Sequence, residues 1–232
     1  MRSEIDNLVD IPELRNVVNI FNDREHAGLV LSEILSVYKN TNSIIFGIPA
    51  GGVPVAASLA SKLNLKLDLA VVSKITLPWN TEAGYGAVAF DGSVLLNDKM
   101  LVEQGLSEMD IKNGIEKTSN KVQMRFKKLR GDKLFPNIKN INSILVDDGI
   151  ASGFTMLAAI NALKSLGSRN IIVAVPTAHL KSLEIISPEV EKIYCANVRD
   201  GLGFAVASAY KNWRDIDETE LNKFLTEDYN EK

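Results

Sequence analysis

A single cysteine, Cys195, excludes an intrachain disulfide and any metal site built on several thiolates. It lies in KIYCANV, a segment of strand composition, and reads as a small core residue. Histidine is nearly as scarce. His26 and His179 stand far apart, and His26 falls inside a helical pattern, so no histidine-based metal centre is expected. An excess of basic charge is missing as well: the net charge of −3 and pI near 5.5 leave no footprint for nucleic acid. No apolar run approaches the roughly 20 residues of a transmembrane helix. The opening MRSEIDNLVDIPEL is too acidic and interrupted for a signal peptide. A cytoplasmic protein with no membrane partner is expected.

What is present is ordinary globular sequence. With 46% hydrophobic and 24% charged residues, 232 residues can bury a substantial core as a single domain spanning 1–232. Helical spacing of Ala27, Val30, Leu31, Ile34 and Leu35 predicts a helix from about Asp23. SIIFGI (43–48), LDLAVVSK (67–74), INSILV (141–146), NIIVAV (170–175) and KIYCANV (192–198) read as buried strands. GAVAF-DG-SVLLN (86–97) reads as a hairpin whose Asp91-Gly92 turn suits type I′. Helices are predicted after GGVP, over about 107–129, over 155–166 with Gly167 as C-cap, over 180–186, and from Asp217, where Glu220 stands at capping-box spacing. Strand–helix alternation of this kind gives an α/β fold with a mostly parallel sheet flanked by helices.

Such sheets bind ligands beyond the carboxyl ends of their strands. Two strand-to-helix loops therefore matter, GIPAGGVP (47–54) and DDGIASGFT (147–155). Their small residues let backbone amides converge at a helix N-terminus, which makes an anion site. Neither is a Walker A or a GxGxxG loop, and packing glycines in a tight turn would explain the first equally well. The second also carries Asp147 and Asp148, and buried carboxylates need partners. A ribose 5-phosphate answers both needs: its hydroxyls donate charge-assisted bonds to the carboxylates, and its phosphate sits on the amides of residues 151–155.

SILVDDGIASGFTM resembles the phosphoribosyl-pyrophosphate motif of type I phosphoribosyltransferases. FNDREHAG, FGIPAGGVPVA, VVSKITLPWNTEAGYGAVAFDGSVLLN and GFAVASAYKNWRDIDETE resemble, in the same order, segments of a bacterial and archaeal phosphoribosyltransferase group of unassigned substrate. The resemblance spans nearly the whole chain. It implies that Asp147 and Asp148 hold the ribose hydroxyls, directly or through Mg²⁺. Gly149 would join Ala151, Ser152, Gly153, Phe154 and Thr155 in cradling the 5-phosphate. Ala50, Gly51 and Gly52 would form a pyrophosphate loop, where the family commonly has a non-proline cis peptide. Lys74 would reach the pyrophosphate. Residues of about 75–97 would form a flap over the site, and about 197–232 a small C-terminal hood. It implies a homodimer, too.

Several assignments come from residue chemistry within that frame. Glu82, in the flap, is the candidate to take a proton from an incoming base, although a solvated loop carboxylate is the plainer role. Phe204, Tyr210 and Trp213 offer hood aromatics for stacking or for the core, and Phe204 is favoured for the acceptor. Asp23 and Arg24 match the group, with helix capping or a subunit contact as the plain role. The chain also departs from the pattern. Ala50 stands where the group usually has Arg, and Ser73 where a second basic residue is frequent. Ala151 replaces the Asp of 6-oxopurine enzymes, which is closer to adenine or uracil enzymes. Three functions stay open: Mg²⁺-dependent transfer from phosphoribosyl pyrophosphate to a nitrogenous base, a non-catalytic sensor of phosphoribosyl pyrophosphate or a nucleoside monophosphate, and cleavage of a phosphoribosyl bond.

Overall fold

The computed structural model describes residues 5–226, apart from the side chains of Glu82, Glu218 and Thr226. Six strands, β1 (Leu8–Asp10), β2 (Ser43–Gly47), β3 (Lys66–Leu69), β7 (Asn142–Val146), β8 (Asn170–His179) and β9 (Lys192–Arg199), form one sheet in the order β1-β9-β8-β7-β2-β3. Every neighbouring pair is parallel. The apolar runs are continuous because both faces are covered. Ile44, Phe46, Leu145, Val173 and Cys195 pack on the side of α5 (Phe154–Ser165). Their sequence neighbours Ile45, Ile144, Ile172 and Tyr194 pack on the other side, against α1 (Arg24–Ile34) and α2 (Gly52–Leu63). This is the period-2 alternation of a strand, with both phases apolar.

Strand order reverses between β2 and β7. From β2 the chain crosses through α2 to β3 on one side, and from β7 it crosses through α5 to β8 on the other. The loops leaving these two adjacent strands therefore part and leave a crevice at their carboxyl ends, where ligands bind in open α/β sheets.

Between β3 and β7 lies a second, antiparallel sheet of β4 (Val72–Leu77), β5 (Asn80–Ala89) and β6 (Val94–Leu96). The segment 67–74, read above as one strand, is two. Chain continuity breaks at Ala70–Val71, where the chain leaves one sheet for the other while staying buried. The hairpin turn also differs from the expected type I′. Only Gly92 has a positive φ, of 86°, and its N–H donates to the Ala89 carbonyl at 2.9 Å. Asp91 stays in an ordinary conformation and accepts from the Ser93 N–H at 3.0 Å, so the turn needs one left-handed residue instead of two. The segment expected as a flap, about 75–97, has a buried root and exposed tips. Tyr85, Ala87, Val88 and Ala89 are fully buried, while the Pro78–Trp79 turn between β4 and β5 and the Asp91–Gly92 turn are exposed, with Trp79 61% exposed.

α3 (Asp98–Glu103), absent from the sequence reading, precedes α4 (Glu108–Arg130). Ser107 and Asp110 close a full capping box at the start of α4. α6 (Leu180–Ile186) follows β8, and α7 (Glu218–Thr226) follows the hood segment 210–215, called the strap below. At α7 only half of the expected box forms. Asp217 accepts from the Glu220 N–H at 2.8 Å, but the Glu220 carboxylate turns to Arg214. Residues 227–232 of the expected hood lie outside the described residues, as do residues 1–4 of the expected domain.

Candidate active site

β7 ends by delivering Asp147 and Asp148 into the crevice. Asp147 Oδ1 accepts the Asp148 N–H at 2.8 Å. Asp148 Oδ2 accepts from Arg24 Nε at 2.8 Å, and Arg24 Nη1 donates to the Arg214 carbonyl at 2.8 Å. The Arg24 guanidinium lies 4.0 Å from the centre of the Trp213 ring. Tyr210 O–H donates to the Asp148 carbonyl at 2.6 Å. Arg24 is only 8% exposed, so its charge is desolvated and depends on Asp148 for compensation.

The two carboxyls are unequal. Burial first, and the neighbouring Asp148 charge second, push Asp147 well above the usual carboxylate range. Burial lifts Asp148 as well, against the pull of Arg24. The folded protein thus holds the Asp147 proton more tightly than the unfolded chain. Stability should be full below the unfolded pKa, near pH 4, and decline as pH rises from there through the raised folded-state pKa. Asp147→Asn keeps the acceptor for the Asp148 N–H and removes the titration. It is expected to raise the melting temperature at pH 7 by a few degrees, or about 0.5–2 kcal/mol, and to flatten the pH dependence. Thermal unfolding at several pH values checks this; an unchanged or lower melting point at pH 7 would contradict the unequal pair.

The loop after β2 lies directly against this pair. Ile48 N–H donates to the Val146 carbonyl at 2.8 Å, and the Pro49–Ala50 peptide bond is cis. A Cβ on Gly51 would stand 1.8 Å from Asp148 Oδ2, and one on Gly52 would stand 2.6 Å from the Val146 carbonyl oxygen. Only glycine lets the two loops approach so closely. Among the described residues no protein acceptor meets the amides of Ala50 and Gly51. The Ala50 side chain is half-buried against the cluster around Val53, Ile75 and Tyr85.

The loop after β7 is built differently. Ile150 is bridged to β8, its N–H donating to the Thr177 carbonyl at 3.0 Å. Gly149 packs under Val206 of the hood. Ser182 of α6 donates to the Ala151 carbonyl. Ala151 and Ser152 are exposed, Gly153 has φ of 84°, and α5 begins at Phe154. The amides of residues 151–156 meet no acceptor among the described residues. Six unmet donors at the positive end of a helix form a site for an anion.

Two amide-lined loops thus flank one acidic pair, at the strand-order reversal of a parallel sheet. Residues 21–190 match the phosphoribosyl transferase domain family. The chain belongs to that family. A provisionally named phosphoribosyl transferase of Mycobacterium tuberculosis is 30% identical over 209 residues, covering 90% of this chain and 47% of the relative. The chain therefore spans about half the length of the curated relatives it matches there. An adenine phosphoribosyltransferase of Aliarcobacter butzleri is 25% identical over 187 residues, covering 78% of this chain and 80% of the relative. The crystal structure of TT1426 from Thermus thermophilus superposes with a TM-score of 0.73 at 28% identity, covering 89% of this chain and 97% of that one.

The remaining candidates of this phosphoribosyl transferase family member fall as follows. Lys74 is exposed on β4, its stem lying over Gly84. Glu82 is on β5, with its side chain outside the described part. Phe204 is half-buried, 5.7 Å from the His179 ring and 5.2 Å from the Arg199 guanidinium. Tyr210 is core, with its hydroxyl committed to Asp148. Asp23 does cap α1, accepting from the His26 N–H at 2.8 Å. Arg24, however, is a site residue that sequence reasoning missed. Its signal was a cation at the first position of a helix, where the dipole disfavours positive charge. Among the described residues no group of three or more His, Cys, Asp or Glu could hold a metal, and no helix is long and apolar enough to cross a membrane.

Proposed function

We propose that the protein transfers ribose 5-phosphate from phosphoribosyl pyrophosphate to a nitrogenous base and releases pyrophosphate. The observation that carries this is the placement of unmet amides on both sides of Asp147–Asp148, which suits one ligand with an anion at each end and hydroxyls between. The ribose hydroxyls donate to the two carboxylates, the 5-phosphate lies on the amides of residues 151–156, and the pyrophosphate lies on those of Ala50 and Gly51. At the anomeric carbon the bond to pyrophosphate oxygen breaks, its electron pair leaving with the pyrophosphate, while a bond to the base nitrogen forms. No protein nucleophile is needed, so catalysis consists of positioning and charge stabilisation. Two cleft carboxylates without a protein cage fit a Mg²⁺ ion carried largely by substrate oxygens, held by Asp147 and Asp148. When bound, Mg²⁺ supplies neutralisation of the pyrophosphate charge. Lys74 adds to that neutralisation, Glu82 receives the proton released by the base, and Phe204 contributes to the acceptor side. Exclusion of water falls to the projecting Pro78–Trp79 turn, since the root of that hairpin is core. A homodimer belongs to the same proposal and is checked by light scattering.

Pyrophosphate release from phosphoribosyl pyrophosphate and Mg²⁺ with a panel of purine and pyrimidine bases is the direct test. At least one base should support turnover, and Asp148→Asn should weaken ribose 5-phosphate binding about tenfold or more, since bonds to a charged group contribute ~1.5–3 kcal/mol. Unchanged affinity in Asp148→Asn and Asp147→Asn would defeat the proposed ribose site. Ala50 and the buried Ser73 favour one second function, a sensor of phosphoribosyl pyrophosphate or a nucleoside monophosphate. Intact binding with no release for any base would select it.

A further inference from the structure

We propose that Arg24 is a positioning residue that couples the hood segment 210–215 to the ribose-binding carboxylates, so that a ligand on Asp148 is felt at Trp213. This rests on Asp147–Asp148 being a ribose site. Three surfaces of one guanidinium are engaged at once. Nε holds Asp148 Oδ2 at 2.8 Å, Nη1 holds the Arg214 carbonyl at 2.8 Å, and the face lies 4.0 Å from the Trp213 ring centre. The Arg214 side chain in turn holds Glu220 of α7 at 2.6 Å. A second link runs beside the first, from Tyr210 O–H to the Asp148 carbonyl at 2.6 Å, with the Tyr210 and Trp213 rings 5.2 Å apart. One continuous set of contacts therefore joins the acidic pair to the strap and to α7. Because the guanidinium is planar and buried, it cannot turn toward one partner without disturbing the others.

The physical consequence is a shared acceptor. Hydroxyls that bind Asp148 draw on the same carboxylate charge that holds Arg24, so the pull on Arg24 differs between free and ligand-bound protein. That difference must appear where the other surfaces of Arg24 are engaged, at the Arg214 carbonyl and on the Trp213 face. Trp213 is 39% exposed, so its surroundings report such a change. A purely architectural arginine would hold the strap alike with and without ligand.

The experiment uses the full chain carrying Trp79→Phe, which leaves Trp213 as the only tryptophan of the two. Ribose 5-phosphate is titrated in parallel by calorimetry and by Trp213 emission. With Arg24 present, emission should change and saturate with the calorimetric Kd. In Arg24→Gln, calorimetry should still detect ribose 5-phosphate, weakened roughly tenfold, while the emission response is lost. A response that persists in Arg24→Gln means that Trp213 senses the ligand by another route, and it overturns the proposal. So does a silent Trp213 in a protein whose calorimetry shows saturation. If calorimetry shows no binding to the Arg24 protein, the ribose site itself fails and the coupling fails with it. Should Arg24→Gln not fold, Trp213→Leu serves instead. It should weaken ribose 5-phosphate severalfold, and unchanged affinity overturns the coupling.

Discussion

Gly51→Ala is expected to reduce ribose 5-phosphate affinity at least about 100-fold while the chain remains folded. The new methyl would lie 1.8 Å from Asp148 Oδ2 and 2.4 Å from its Cγ. Asp148 cannot yield easily, because Arg24 holds the same oxygen. Either the carboxylate turns out of the cleft or the loop after β2 retreats, and both outcomes remove ligand contacts. Losing two charge-assisted bonds of ~1.5–3 kcal/mol each gives the stated loss. Gly201→Ala is the control. Nothing lies within 4 Å of its added Cβ and its φ is not positive, so affinity and melting temperature should hold. Calorimetry on both variants decides, and full affinity in Gly51→Ala would show that the two loops need not touch for binding.

Ala50→Arg should work in the opposite direction. If residues 49–52 face pyrophosphate, restoring a guanidinium there adds a charged donor worth roughly 1.5–3 kcal/mol, about ten- to a hundredfold in affinity. The gain should appear for phosphoribosyl pyrophosphate and for pyrophosphate with Mg²⁺ present, and hardly at all for a nucleoside monophosphate, which leaves position 50 without a partner. Arg125 of α4 already approaches this loop, its Nη1 3.5 Å from the Pro49 carbonyl, so a second guanidinium has a local precedent. Equal gains for all three ligands would mean a general rise in local potential. No gain for pyrophosphate in a folded variant would move the sensor ahead of the transferase.

The acidic pair and both loops were legible because their chemistry is local: an apolar strand, two carboxylates and a small-residue turn lie within one short segment. The long strands were legible for a related reason, since β2, β7, β8 and β9 are apolar on both phases. What stayed hidden depends on distant partners. β1 has three residues, too few to show a period, and exists only by pairing with β9. The break between β3 and β4 carries no Gly or Pro, because Ala70 and Val71 remain buried as the chain changes sheets. α3 is one and a half turns long and relies on its Asn97 cap. Arg24 could be seen as an oddly placed cation, but its partner lies 124 residues away. The hairpin was legible from Asp91-Gly92, but the burial of Tyr85 was not, because it also depends on the distant α4, where its hydroxyl donates to the Asp110 carbonyl at 3.3 Å.

The pairing of β2 with β7 joins Gly47 to Val146 across almost half the chain. The whole antiparallel excursion is threaded between them, so this contact is among the more distant in sequence and its closure carries a large entropic cost. The proposed ligand site is made of the two loops that emerge from this one pairing. It therefore cannot exist in any partly folded species in which β7 has not yet docked. A nascent chain still lacking β7 would have a complete α2 and its entry loop but no affinity for a phosphorylated sugar. A ligand at the proposed site would bind only the closed pairing, and at a hundred times its Kd it would add about 2.7 kcal/mol to the fold. A phosphorylated sugar bound as proposed would thus act as a folding ligand, and its concentration would bear on how much of the protein survives proteolysis.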